Sequence, residues 1–266
     1  TSGSEKISLD CIPQDFFQSK IYMAEFPTEN IPKGRRKPGV TSQLLNEVNS
    51  GTLLLNWVGH GSPRVWAHEC IFERETTIPL MTNYDKLFFL TAATCDFSRF
   101  DNGDQQSAAE ELVFSKVGGA IGIFAAARPV FPGENEAISK DFYTAMFTRE
   151  PDGRYPRLGD MMYNVKQGHT SANDEKYFLL GDPTMRLLIP ENIVRIDAIN
   201  DQKVTDSVPL MPLLKALSTV KISGSILPAT GGNVDTSFNG KALITMTDSD
   251  VRAAVVDPAD QVTHNI

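Results

Sequence analysis

The chain has 266 residues, 41% of them apolar and 22% charged, with a formal net charge of −8. This is ordinary globular composition, at a length where two domains are expected. The acidic balance argues against a basic face for nucleic acid, and no run of 18 apolar residues is present to span a membrane.

Residues 1–38 read as irregular, broken by Pro13, Pro27, Pro32 and Pro38 and ending in a basic cluster of Lys33, Arg35, Arg36 and Lys37 that reads as a solvated loop. The start at Thr1, without Met or an apolar leader core, reads as a segment of a longer protein. A short helix is expected over Thr41–Val48, with Thr41 as its N-cap.

Three continuous apolar runs follow, at 52–58, 87–94 and 120–127. Runs of this length, apolar on both faces, predict buried strands of a parallel sheet. The helical period of 107–114, closed by Gly118-Gly119, predicts a crossover between the second and third runs. Helices are expected at 134–149 and 157–167, and short strands at 177–180 and 185–189. Beyond residue 190 the pattern changes. Strand-like pieces at 193–199, 219–227, 241–247 and 251–256 are separated by Gly, Pro, Asn and Asp, with at most a turn near 210–217. The reading is an α/β domain over 1–190, then a small all-β domain over 191–266.

Ligands of an open α/β sheet sit outside the C-terminal ends of its strands. His60 follows the first run inside Gly59-His60-Gly61-Ser62, and Cys95 ends the second run. Their separation, 95 − 60 = 35 residues, suffices for a crossover between neighbouring parallel strands. A thiol attacks as its thiolate, and a nearby imidazole can take its proton. Cys95 is therefore the candidate nucleophile and His60 the candidate base. The backbone amides of Gly61 and Cys95 are candidates for an oxyanion hole. Three further residues are candidates for substrate contact: Trp66 as a wall of the cleft, Asp96 beside the thiol, and Arg128 at the end of the third run. Arg128 would bind an anionic group or else pair with an acidic residue such as Asp101. Loops 99–106 and 128–135 leave the same edge and are placed to cover an acyl intermediate. His68 is expected to have left the strand end. No metal-ligand spacing and no cofactor motif appears. Cys11, Cys70 and Cys95 are an odd set; Cys11 with Cys70 is the pairing that leaves Cys95 free, and three unpaired thiols fit as well.

The segment Leu54-Leu55-Asn56-Trp57-Val58-Gly59-His60-Gly61-Ser62 resembles the histidine motif of gingipain-like cysteine peptidases. Thr91-Ala92-Ala93-Thr94-Cys95-Asp96-Phe97-Ser98-Arg99-Phe100 is similar to the cysteine motif of one subgroup, the signal peptidases (sortases) of the type IX secretion system of Gram-negative bacteria. The likeness extends through 118–124, Arg128 and 179–187 into 213–218, and covers roughly residues 50–245. It implies a caspase-like, mostly parallel sheet flanked by helices, followed by an immunoglobulin-like domain. It also implies a peptidase and transpeptidase that removes C-terminal sorting domains from exported proteins and joins the new C-terminus to anionic lipopolysaccharide. Implied partners are those exported proteins, the lipopolysaccharide acceptor and other outer-membrane components of the secretion system, with no nucleic acid. The implied place is the extracellular face of the outer membrane. Asp96-Phe97-Ser98-Arg99 departs from the arginine- and lysine-cleaving members, so their basic specificity does not carry over. A plain secreted endopeptidase and an inactive surface module of the same fold are the competing readings.

Overall fold

The computed structural model describes residues 2–13, 16–32, 34–204, 214–215, 217–241, 244, 254–256 and 263–265. Its elements run, in chain order, as follows. Helix α1 (Ser2–Asp10) leads to a hairpin of β1 (Glu29–Ile31) and β2 (Gly34–Arg36), then α2 (Pro38–Ser50) and β3 (Leu54–Val58). A small hairpin of β4 (Val65–Trp66) and β5 (Phe72–Glu73) runs into α3 (Arg74–Thr77), and β6 (Phe88–Ala93) follows. Next come α4 (Ala108–Phe114), β7 (Ala120–Ala126), α5 (Pro132–Phe147), α6 (Leu158–Gly168) and β8 (Tyr177–Gly181). The remaining strands are β9 (Ile193–Ile199), β10 (Gln202–Lys203), β11 (Ile222–Leu227), β12 (Ala254–Val256) and β13 (Thr263–Asn265).

The contacts divide the chain into two units, one of residues 1–148, 156–187 and 250–266 and one of 149–155 and 188–249. The first is built on a four-stranded sheet of order β3-β6-β7-β8. β3 and β7 both pair with β6 in parallel, and β8 closes the far edge antiparallel to β7. In β6 every residue from Phe88 to Ala93 is buried, because helices cover both faces. Phe88, Leu90 and Ala92 join a cluster with Val40, Leu44 and Val48 of α2 and Leu112 of α4. On the opposite face Phe142 of α5 stacks on Phe124 at 4.2 Å and on Phe89 at 6.0 Å. Two-sided burial is what made these strands read as unbroken apolar runs. The second unit contains the three-stranded antiparallel sheet β10-β9-β11.

Several expectations are corrected. Residues 1–38 are not wholly irregular, since they form α1 and the β1–β2 hairpin. The basic cluster is not simply solvated. Arg35 pairs with Glu69 at 3.1 Å and Arg36 with Glu73 at 3.6 Å, while Lys37 is 2% exposed and donates to the carbonyls of Met23 and Phe26. α2 begins at Pro38 rather than after Thr41, because proline at the first helical position needs no N–H partner there. Thr41 lies inside the helix and donates to the Ile71 carbonyl. Residues 185–189 form no strand. Most of 210–217, 241–247 and 251–256 lies outside the described residues. Among the described residues no helix is long and apolar enough to cross a membrane.

Asn83 fixes the starts of the two central strands. Its amide donates to Lys86 and Gly119 carbonyls and its oxygen accepts from the Gly119 N–H, just before β6 and β7 respectively. Asn83 is 1% exposed. Asn83→Ala leaves the buried Gly119 peptide groups unpaired and is expected to cost about 2–3 kcal/mol in a denaturant melt. A loss of less than about 0.5 kcal/mol, the size of an ordinary surface change, contradicts this role.

Candidate active site

The register of β3 on β6 sets the site. Val58 stands opposite Ala93 at the C-terminal ends of the two strands, and the Gly59 N–H extends the ladder to the Ala93 carbonyl at 3.4 Å. His60 and Cys95 each come two residues after this matched pair, so both emerge at one end of neighbouring parallel strands. His60 is exposed and Cys95 half-buried.

Beyond the strands, the two loops touch. A Cβ on Gly61 would lie 2.5 Å from the Thr94 hydroxyl oxygen and 3.2 Å from the Val65 carbonyl oxygen, so only glycine permits this approach. After His60 the chain folds back on itself: the Ala67 N–H donates to the His60 carbonyl at 2.9 Å and the Ser62 N–H to the Val65 carbonyl at 3.0 Å. These bonds flank the Gly61–Trp66 bridge and leave the Gly61 N–H out of it. The Ser62 hydroxyl accepts from the Arg64 and Val65 amides, which closes the turn.

Cys95 is presented by a kink. Asp96 has φ of 56°, a left-handed conformation that Asp tolerates better than most side chains. Its N–H donates to the Arg128 carbonyl at 3.3 Å, and Phe97 turns into the core at 0% exposure. The Cys95 sulfur meets the Val130 backbone, accepting from its N–H at 3.4 Å and donating to its carbonyl at 3.6 Å. Tyr177 lies close by, with its hydroxyl buried. Burial first, and Cys95 and Asp174 next, push its pKa up, so it stays a neutral phenol. All three cysteines are free: Cys11 contacts the Lys140 carbonyl and Thr144 of α5, while Cys70 contacts the His68 carbonyl.

The other sequence-predicted residues fare differently. Trp66 is 2% exposed and is not a cleft wall. The β4–β5 hairpin turns it inward, where its ring stacks on Trp57 at 5.2 Å and on Phe72 at 4.6 Å and meets Phe97 at 5.2 Å. Arg128 takes the second of its two predicted roles. Its guanidinium holds both carboxylate oxygens of Asp101, whose pKa is lowered mainly by that bond. Asp96 supplies the kink, and its backbone makes the bonds just described. His68 lies in the turn after β4, past the strand end as expected, and the hairpin brings it back to His60, ring edge to ring face, with centroids 5.6 Å apart. Residues 127–131 are pinned by hydrogen bonds at every peptide and are no freely closing lid. Sequence reasoning missed the Val130 peptide, because a backbone partner leaves no mark in residue type.

A thiol and an imidazole at adjacent strand ends, with the Gly61 and Cys95 amides beside them, make a site suited to nucleophilic acyl chemistry. The chain belongs to Peptidase family C25, a family of cysteine peptidases whose model matches residues 2–188. No curated protein matches the sequence. Among solved structures, it is similar to the complex of RgpB pro- and mature domains from Porphyromonas gingivalis, at 18% identity and TM-score 0.48 over 59% of this chain and 40% of that one. Another is the Arg-specific cysteine proteinase gingipain R (RgpB), at 19% identity and TM-score 0.47 over 59% of this chain and 39% of that one. A third is the dimeric latent PorU of Porphyromonas gingivalis, at 28% identity and TM-score 0.26 over 45% of this chain and 11% of that one. The chain thus spans about 40% or less of the length of each of these structures.

Two substitutions separate packing from site geometry. Trp66→Ala opens the aromatic cluster and is expected to cost about 3–5 kcal/mol in thermal or denaturant unfolding. Gly61→Ala drives a methyl into Thr94 and is expected to cost about 1–3 kcal/mol. Adding Thr94→Ala to Gly61→Ala should return most of that loss in a double-mutant cycle. Strict additivity of the two changes contradicts the contact.

Proposed function

We propose that this chain carries the working site of a cysteine peptidase, with Cys95 as nucleophile and His60 as base. The observation that carries it is the β3–β6 register, which puts both residues two positions past one matched pair. In the proposed reaction His60 takes the thiol proton and the Cys95 thiolate adds to the substrate's carbonyl carbon. The Gly61 and Cys95 amides are the proposed donors to the resulting oxyanion. Collapse breaks the C–N bond, the leaving amine takes the proton from His60, and a thioester remains on Cys95. An acceptor amine then attacks the thioester, passing its proton through His60 and restoring the thiol. Water in its place gives a free carboxylic acid.

The finer reading rests on the motif around Cys95, which is similar to that of the type IX sortases. In that reading the substrates are exported proteins bearing C-terminal sorting domains, the acceptor is anionic lipopolysaccharide, and the work is done at the outer face of the outer membrane beside other components of the secretion system. Residues 191–266 are then an immunoglobulin-like domain, to which the antiparallel β10-β9-β11 sheet would contribute.

Cys95→Ala is expected to abolish processing of such a substrate by orders of magnitude while leaving the melting temperature within about 2 °C of the parent's. Undiminished activity in that variant sinks the mechanism. The acceptor is tested by weighing the products with and without purified anionic lipopolysaccharide. Conjugates at saturating acceptor support transfer. Hydrolysed C-termini alone replace it with an endopeptidase.

A further inference from the structure

Val130 has no polar side chain, yet its backbone meets the Cys95 sulfur with two groups, N–H at 3.4 Å and carbonyl at 3.6 Å. What holds the two peptide units that flank it is a pair of bonds from the segment leading into β8. The Pro129 carbonyl accepts from Lys176 Nζ at 2.8 Å, and the Phe131 N–H donates to Asn173 Oδ1 at 2.8 Å. Asn173 Nδ2 donates in turn to Asn135 Oδ1 at 3.1 Å, and the Asn135 N–H returns to the Phe131 carbonyl at 3.0 Å. The ring of bonds is closed and its two amide side chains are buried, Asn173 at 3% exposure and Asn135 at 6%, while the Lys176–Pro129 bond lies at the surface. Lys176 is tied to the same frame through its own backbone, whose N–H donates to the Asn173 carbonyl and whose carbonyl accepts from Ala127.

We propose that Asn173 and Lys176 are positioning residues for the Cys95 thiol, acting through the Val130 backbone; this rests on Cys95 being the nucleophile. The two backbone groups of Val130 belong to successive peptide units and do different work. Its carbonyl engages only the thiol, whose S–H it accepts. Its N–H gains strength when the sulfur ionises, since hydrogen bonds to charged acceptors are the stronger ones. A donor already in place when charge forms needs no reorganisation, but it must be held to within tenths of an ångström. Lys176 holds the carbonyl of the peptide unit that carries the Val130 N–H, and Asn173 holds the N–H of the next unit, so the two together fix the Val130 backbone. Releasing either lets the N–H drift from the sulfur, and the thiolate loses its donor.

The test needs no substrate. The chain is treated with iodoacetamide at pH 7, and alkylation of each cysteine is followed by peptide mass mapping. The reaction joins sulfur to carbon and expels iodide, and it proceeds through the thiolate. Half-buried Cys70 serves as the internal standard, and buried Cys11 reports unfolding. Lys176→Met and Asn173→Ala are each expected to lower the ratio of Cys95 to Cys70 labelling about tenfold, the size of one lost hydrogen bond to a charged group, with Cys11 still protected. Lys176→Arg keeps a donor for the Pro129 carbonyl and should label as the parent does. An unchanged ratio in Lys176→Met overturns the proposal, as does a loss in Lys176→Arg equal to that in Lys176→Met. If Asn173→Ala exposes Cys11, the role of Asn173 is structural and its part of the proposal falls. A normal labelling pattern in a chain whose Cys95→Ala variant still processes substrate would instead count against the peptidase reading.

Discussion

The site depends on the aromatic stack beneath it. Trp57 sits on β3, Trp66 and Phe72 on the small hairpin after His60, and Phe97 in the loop after Cys95. These four rings tie the end of one strand, the return loop of His60 and the exit loop of Cys95 into one packed unit. Aromatic side chains combine large buried areas with preferred contact geometry, so they restrict orientation as well as distance. Strand pairing sets the level of His60 and Cys95. The stack holds the loops that carry them against each other, close enough for Gly61 to press on Thr94.

The two central strands were legible because burial on both faces writes itself as unbroken apolar sequence, and 88–93 and 120–126 are strands inside the expected runs, as is 54–58, which is half-buried along its length at the edge of the β3-β6-β7-β8 order. Strand direction is not written in that way. β8 is an apolar segment like its neighbour β7, and its reversal follows from how the chain returns after α5 and α6. The start of α2 was hidden by distant partners. Lys37 looks like a surface cation until its ammonium is seen to serve two carbonyls fourteen and eleven residues away. α1 was obscured in the same manner, since ion pairs from Lys6 to Glu136 and from Asp10 to Lys140 in α5 join it to helical partners far along the chain.

The neighbourhood of the site divides along the same line. His60 and Cys95 announce themselves because they follow long strands. Trp66 does not, because two-residue strands are too short to show a period, and an indole in such a segment reads as exposed until the hairpin buries it. The same hairpin returns His68 to His60. Asn173 has the sequence character of a turn residue, and only the fold shows its amide bridging α5 and the loop behind the thiol.

Because β3 meets β6 only across the hairpin, α3 and the turns between them, the pair of side chains does not exist in any short stretch of chain. Parallel pairing of this kind must close a long loop before it is rewarded, and such contacts form slowly. A chain still emerging or partly unfolded therefore carries an ordinary thiol and an ordinary imidazole with no fixed relation. On the proposed reading, chemical competence arrives with cooperative packing of the whole sheet, which makes the finished tertiary structure the arming step.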